Sequence, residues 1–281
     1  MQEGKFSRTA LRVAIRRAAH QILDEPRVLD DPLALRIIGA EAAAKLLASP
    51  REDQAFYPAF RAFMAARSRY AEDQLALTVK RGIEQYVILG AGLDTFSCRN
   101  PHAGLRVFEV DHPATQVWKR EQLLAADIAI PSSLTFVPVN FEHQTLADGL
   151  RQSGFRSDQP AFFSWLGVTP YLTHAAFVTT LRFVVSLPPG SGVVFDFAVD
   201  PALLTAGQRT ALAALSKRVA AAGEPFQLFF DPAKLQEELS SLGFRGAEFL
   251  QGAEINDRYF KNRADGLCVR GGIGHLMAAW V

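Results

Sequence analysis

The sequence predicts an α/β protein built on a doubly wound, mostly parallel seven-stranded sheet, with a helical cap in front of it and a helical insertion within it. Three observations predict this. Short apolar runs alternate with helical stretches after Gly82, the pattern of strands joined by helical crossovers. A glycine pair, Gly90 and Gly92, follows the first apolar run directly. Two acids, Glu109 and Asp111, end the second run about 20 residues further on, where a nucleotide-like ligand meets its first acidic partner in such sheets.

From Ser7 to Ala71 the pattern is helical, broken at Asp31-Pro32 and Ser49-Pro50, because proline and the residue before it resist helix continuation. The first five strands are expected at 85–89, 105–110, 134–139, 161–166 and 192–197, with a helix over Ala175 to Leu187 and a Pro188-Pro189-Gly190-Ser191 turn before the fifth strand. The segment 201–243 holds an alanine-rich helix, a break at Gly223-Glu224-Pro225, the apolar run Phe226 to Phe230 and a helix from about Pro232. Two further strands, 246–250 and 274–281, bring the count to seven, and 256–270 between them reads as a loop. The expected organisation is one domain over 1–281: a cap over 1–81, a cofactor-binding core over 82–200, a covering insertion over 201–243 and the last strands over 244–281.

Composition narrows the function. Hydrophobic residues make up 49% and charged residues 21%, which supports a large folded core. Lys plus Arg is 30 against 29 for Asp plus Glu, so no bulk field favours nucleic acid or an acidic membrane, and a small-molecule partner is expected. No apolar stretch is long enough for a bilayer span, and no apolar leader core opens the chain, so a cytoplasmic protein is expected. Arg8, Arg12, Arg16 and Arg17 could be taken for a targeting peptide. Leu11, Ala14, Ile15, Ala18 and Ile22 instead form a buried helical stripe, and Asp24-Glu25 follows at once. Cys98 and Cys268 lack metal-ligand or redox spacing.

Glycines at the bend after the first strand let backbone approach a ligand without Cβ interference, and a carboxylate at Glu109 or Asp111 can accept from ribose hydroxyls. Strand alternation puts both acids on one side, so the pattern leaves the choice between them open. A nicotinamide-dependent oxidoreductase shares this layout. It would want a third glycine where Thr95 stands, which counts against it.

Several segments, in order, resemble the leucine carboxyl methyltransferase-like branch of the class I S-adenosylmethionine (SAM)-dependent methyltransferases. They are Ser7-Arg8-Thr9-Ala10, Ala18-Ala19-His20, Asp30-Asp31-Pro32, Arg67-Ser68-Arg69, the run Ile88 to Thr95, the run Phe108 to Pro113 and the run Trp165 to Leu172. The resemblance implies a Rossmann-like methyltransferase fold with SAM as cofactor. It places Gly90, Ala91 and Gly92 against the methionine part of SAM, Asp111 on the ribose, and Asn140-Phe141 beside the adenine. Arg67 takes the SAM carboxylate, with Arg69 as reserve and Arg8 assisting from the cap. Two positions depart from the family: Asn140-Phe141 stands where Asp-Leu is usual, and Leu166 stands where leucine carboxyl methyltransferases proper carry Glu. The second departure points away from a protein-phosphatase substrate and toward O-methylation of a small metabolite, polyketide-like or an aromatic acid. A SAM-binding protein without catalysis is the non-enzymatic alternative.

A carboxylate acceptor is already ionised at neutral pH, whereas a hydroxyl acceptor benefits from a base. His112, Tyr171 and His174 follow strand ends and are the candidate bases, none of them singled out. His20, His102, His143 and His275 have no metal-ligand spacing and read as structural or exposed.

Overall fold

The computed structural model describes residues 7–49, 58–141, 143–221 and 223–281. Seven strands form one sheet in the order β3-β2-β1-β4-β5-β7-β6. They are β1 (Gln85–Leu89), β2 (Arg106–Asp111), β3 (Leu134–Pro138), β4 (Phe162–Trp165), β5 (Gly192–Ala198), β6 (Gly246–Leu250) and β7 (Gly274–Trp280). The first five are parallel, and β7 runs antiparallel between β5 and β6. Residues of β1, β4 and β5 are buried on both faces, which is why these strands are unbroken apolar runs rather than alternating ones.

The cap consists of α1 (Arg8–Leu23), α2 (Ala34–Ile37), α3 (Ala40–Ala48) and the long α4 (Pro58–Val79), which leads into β1. Ser7 caps α1 by accepting from the Ala10 amide at 3.1 Å. On one face of the sheet α4 packs its Ala62, Ala65, Ala66, Ala71 and Leu75 against Ile88, Val107, Phe162 and Val194. The other face carries α6 (Leu146–Gln152), α7 (His174–Val185) and α9 (Pro232–Leu242), whose Leu150, Phe177 and Leu235 pack on Val87, Phe163 and Phe195. A third cluster joins α1 and α2 to Leu93 and to Leu123 of α5 (Pro113–Ala125). Asp231 caps α9, Pro232 takes its first turn and Gly243 ends it at φ +112°, so the chain marks both ends of this helix.

The expected loop over 256–270 begins as a helix, α10 (Gly252–Tyr259). Ile255 is its one buried residue, so no apolar stripe announced it. The strands lie within a residue or two of their expected bounds. The insertion contributes α8 (Ala206–Ala221) and the run 226–230, which bonds to Pro170 and Ala198. Among the described residues no helix is long and apolar enough to cross a membrane.

Candidate functional site

In this strand order the chain leaves β1 toward β2 and leaves β4 toward β5. The crevice between the carboxyl ends of β1 and β4 is therefore the place where an open α/β sheet admits a ligand. Two loops meet there. Gly90 turns at φ +69°, and a Cβ on it would lie 2.4 Å from Cγ2 of Val168 in the loop after β4. Gly92 turns at φ +49°, and its Cβ would lie 3.0 Å from the Ala10 Cβ of α1. Ala91 between them is buried, and the amides of Gly90 and Ala91 both donate to the Val110 carbonyl of β2. The loop is thus pinned to β2, and its glycines let Val168 and Ala10 approach its backbone closely.

The structure separates the two acids of β2. Glu109 is fully buried and its Oε2 pairs with Lys119 Nζ of α5 at 2.5 Å, while Ser97 donates to its Oε1. Burial pushes its pKa up, outweighing Lys119 and Ser97. Asp111 turns to the glycine loop: Oδ2 accepts from the Gly92 amide and Oδ1 from the His112 amide, each at 2.7 Å. It is half-buried, and burial raises its pKa against the pull of those amides. A carboxylate offers about four lone-pair sites, so capacity remains for two ligand hydroxyls. Asn140 and Phe141 follow β3 at the same rim, where Val139 donates to the Asp111 carbonyl. The Asn140 carbonyl accepts from the His143 and Gln144 amides, and the Phe141 ring is 62% exposed, an apolar surface open to a flat ligand.

The two arginines of α4 also part. Arg67 is buried, and its Nη1 donates to Asp196 Oδ2 of β5 at 2.8 Å. The Gly167 amide donates to the other Asp196 oxygen, and the Thr169 hydroxyl to the Asp196 carbonyl. Gly167 turns at φ +72°, and a Cβ there would meet Arg67 Nη2 at 2.8 Å, so the guanidinium lies against bare backbone at the end of β4. Arg69 is exposed and bound to Asp73 on its own helix, away from the crevice. The Arg8 side chain lies outside the described residues.

Sequence reasoning missed Asp196, although an acid inside a Val/Phe strand signals a buried carboxylate in need of a partner. It also missed how α1 is held over the loop. Arg17 donates to the Leu93 carbonyl at 2.5 Å and lies 3.6 Å from both Asp31 and Asp94. Thr95 donates to Asp31, and Arg99 bridges Glu72 and Asp31. Burial works to raise the Asp94 pKa, but Arg17, Lys119 and Arg99 together hold it below the ordinary range. Of the candidate bases, His112 caps α5 by accepting from the Ala114 amide, and His174 pairs with Glu238 at the surface. The Tyr171 ring lies tilted against Phe226 with centroids 5.2 Å apart, and burial raises its pKa.

Between β1 and β2 the chain forms only a three-residue 3-10 turn, Phe96–Cys98. A dinucleotide fold puts a helix N-terminus there to face the pyrophosphate. Thr95, at the third-glycine position, is turned into the ionic network instead.

Comparison with known proteins agrees with this geometry. The leucine carboxyl methyltransferase family model matches residues 10–185. The YktD protein of Bacillus subtilis (strain 168), named as an S-adenosyl-L-methionine-dependent methyltransferase, is 35% identical over 95% of each chain. A Mycobacteroides abscessus protein of the same description is 32% identical over 75% of this chain and 69% of its own. Two solved structures share the fold at 17% identity. A DUF574 family protein from Streptomyces avermitilis aligns over 96% of each chain with a TM-score of 0.58. A protein named as a methyltransferase, from Thermobifida fusca YX, aligns over 92% of this chain and 98% of its own at 0.57. The class is therefore that of the Rossmann-like SAM-dependent methyltransferases. Within it, the chain belongs to the leucine carboxyl methyltransferase family.

Proposed function

We propose that the chain is an O-methyltransferase that moves the methyl group of SAM to a carboxylate or hydroxyl of a small apolar metabolite. The observation that carries this reading is the convergence of three groups at one switch point: the Gly90-Ala91-Gly92 backbone, the Asp111 carboxylate and the Arg67 guanidinium. Each suits one part of the cofactor. The Gly90-Ala91-Gly92 backbone borders the methionine chain, Arg67 faces its carboxylate, Asp111 accepts from the ribose hydroxyls, and Asn140 with Phe141 flanks the adenine. Asn140 stands where the family usually has Asp, and its side-chain carbonyl can accept from the adenine amino group.

When bound, SAM supplies a methyl group already activated by the sulfonium. What remains for the protein is alignment and exclusion of water, and orientation alone can lower such a barrier by roughly 7 to 11 kcal/mol. Leu166 and Val168 border the β4 loop with apolar side chains, and Tyr171 with Phe226 adds an aromatic wall beside them. An apolar acceptor suits this lining better than a charged protein tail does.

Calorimetric titration of the purified protein with SAM and, separately, with NAD tests the reading. Micromolar SAM binding with no heat from NAD is the expected outcome. Binding of NAD, or of neither, overturns it.

A further inference from the structure

One face of α5 is buried and the other is open. Thr115, Gln116, Lys119 and Leu123 are its buried residues, and Leu123 packs into the cluster beneath α1 and α2. The outward face carries Val117 and Leu124, which are 57% and 83% exposed. Seven residues advance a helix by two turns less about 20°, so these two side chains stand in line along α5. Together they make an apolar strip in water, the kind of surface that gains by being covered.

Arg120 and Glu121 flank the strip, about 50° to either side of it. Both are exposed, and on α5 neither has a residue of opposite charge three or four positions away. The Arg120 guanidinium lies over the Phe136 ring of β3, 4.1 Å from its centroid, which limits where it can swing. This face therefore reads, from one flank to the other, as cation, apolar strip, anion.

Such a face is complementary to itself in one orientation. With a two-fold axis running along the helices, the arginine flank of one copy meets the glutamate flank of the other, while Val117 lies on Val117 and Leu124 on Leu124. Reversing one helix sets arginine against arginine and glutamate against glutamate, which is repulsive. We propose that this face of α5 docks on the same face of a second copy of the chain, the two helices parallel, with Val117 and Leu124 at the centre and Arg120–Glu121 ion pairs on both flanks. A single helix pair is small beside a standard interface of about 800 Å² per partner, so the dimer exchanges with monomer rather than being permanent.

The test is sedimentation velocity of the full chain over a concentration series from micromolar to millimolar, with circular dichroism to check that each variant folds. The expected result is a mass that climbs from monomer to dimer for wild type and stays monomeric for Leu124→Glu. Leu77→Glu, which alters another exposed leucine on α4, should dimerise as wild type does. Arg120→Glu and Glu121→Arg should each be monomeric alone and should pair when mixed, because each supplies the charge the other lacks. Orientation is read by oxidative cross-linking in a Cys98→Ser, Cys268→Ser background: Leu124→Cys should link to itself. Monomeric wild type throughout the series, a dimer that survives Leu124→Glu, charge variants that dimerise alone as wild type does, or Leu124→Cys that links only to Val117→Cys overturns the inference.

Discussion

Arg67 Nη1 stands 2.8 Å from Asp196 Oδ2, so the cation proposed to meet the SAM carboxylate already holds an anion from β5. A guanidinium has five donors, and this pair uses one, leaving the others for a second carboxylate. Arg67→Ala is expected to raise the SAM dissociation constant at least tenfold, which is about 1.4 kcal/mol. Arg69→Ala, removing a cation paired on its own helix surface, is expected to change it by about twofold at most. Calorimetry on the two variants checks this, and the reverse order moves the role to Arg69.

Gly167 offers a subtler probe of the same group. An alanine there pays about 1 to 2 kcal/mol for its left-handed backbone and pushes its methyl into the Arg67 guanidinium. Gly190 has a similar positive φ of +94° but nothing within 4 Å of its would-be Cβ. Both Gly→Ala variants should therefore lose thermal stability, Gly167→Ala the more because of its added clash, while only Gly167→Ala loses SAM affinity. Equal SAM binding by the two would detach Arg67 from the cofactor.

Asp111 carries a pH dependence. Burial raises its pKa above the ordinary aspartate value. The carboxylate is charged above that raised pKa and loses its charge as the pH falls through it. SAM affinity should therefore decline on acidification at a higher pH than an exposed aspartate would cause. Asp111→Asn should flatten that decline, and Asp111→Ala should abolish binding while the circular dichroism spectrum stays unchanged. Unaltered SAM affinity in the alanine variant would sink the ribose assignment.

Arg17→Met tests the clamp on the glycine loop. It leaves Asp31 and Asp94 short of a buried partner, a change that costs about 3 to 5 kcal/mol when a buried pair is broken. Hydrogen exchange should accelerate along α1 and at 93–95, and the thermal midpoint should fall. Asp94 adds a pH arm to the same clamp. Its pKa lies below the ordinary value, so its stabilisation is complete above that value and is lost as the pH falls through the lower one. An Arg17→Met protein should show a smaller loss of stability on acidification than wild type.

The sheet was legible because its strands are apolar runs with clear punctuation. Gly82 and the Pro188-Pro189-Gly190-Ser191 turn delimit β1 and β5, and the Asp231-Pro232 and Gly243 signals delimit α9. The backbone part of the site was legible for the same reason, since glycine after a strand is a local signal. Its side-chain part was less so. Periodicity put Glu109 and Asp111 on one side, and only the packing of Lys119 and Ser97 removes Glu109 from the crevice. The Arg67–Asp196 and Arg17–Asp94 pairs join residues far apart in sequence, which no single-chain pattern reveals.

The antiparallel β7 has a consequence for how the molecule is made. Among the described strands β6 bonds only to β7, and β7 lies inside it against β5. Residues 246–250 leave the ribosome first yet have no neighbour to zip against until 274–280 have docked, so this flank of the sheet assembles against the order of synthesis. Pairings so remote form late. The β1–β4 crevice can thus be complete in a nascent chain whose β6–β7 flank is still unpaired.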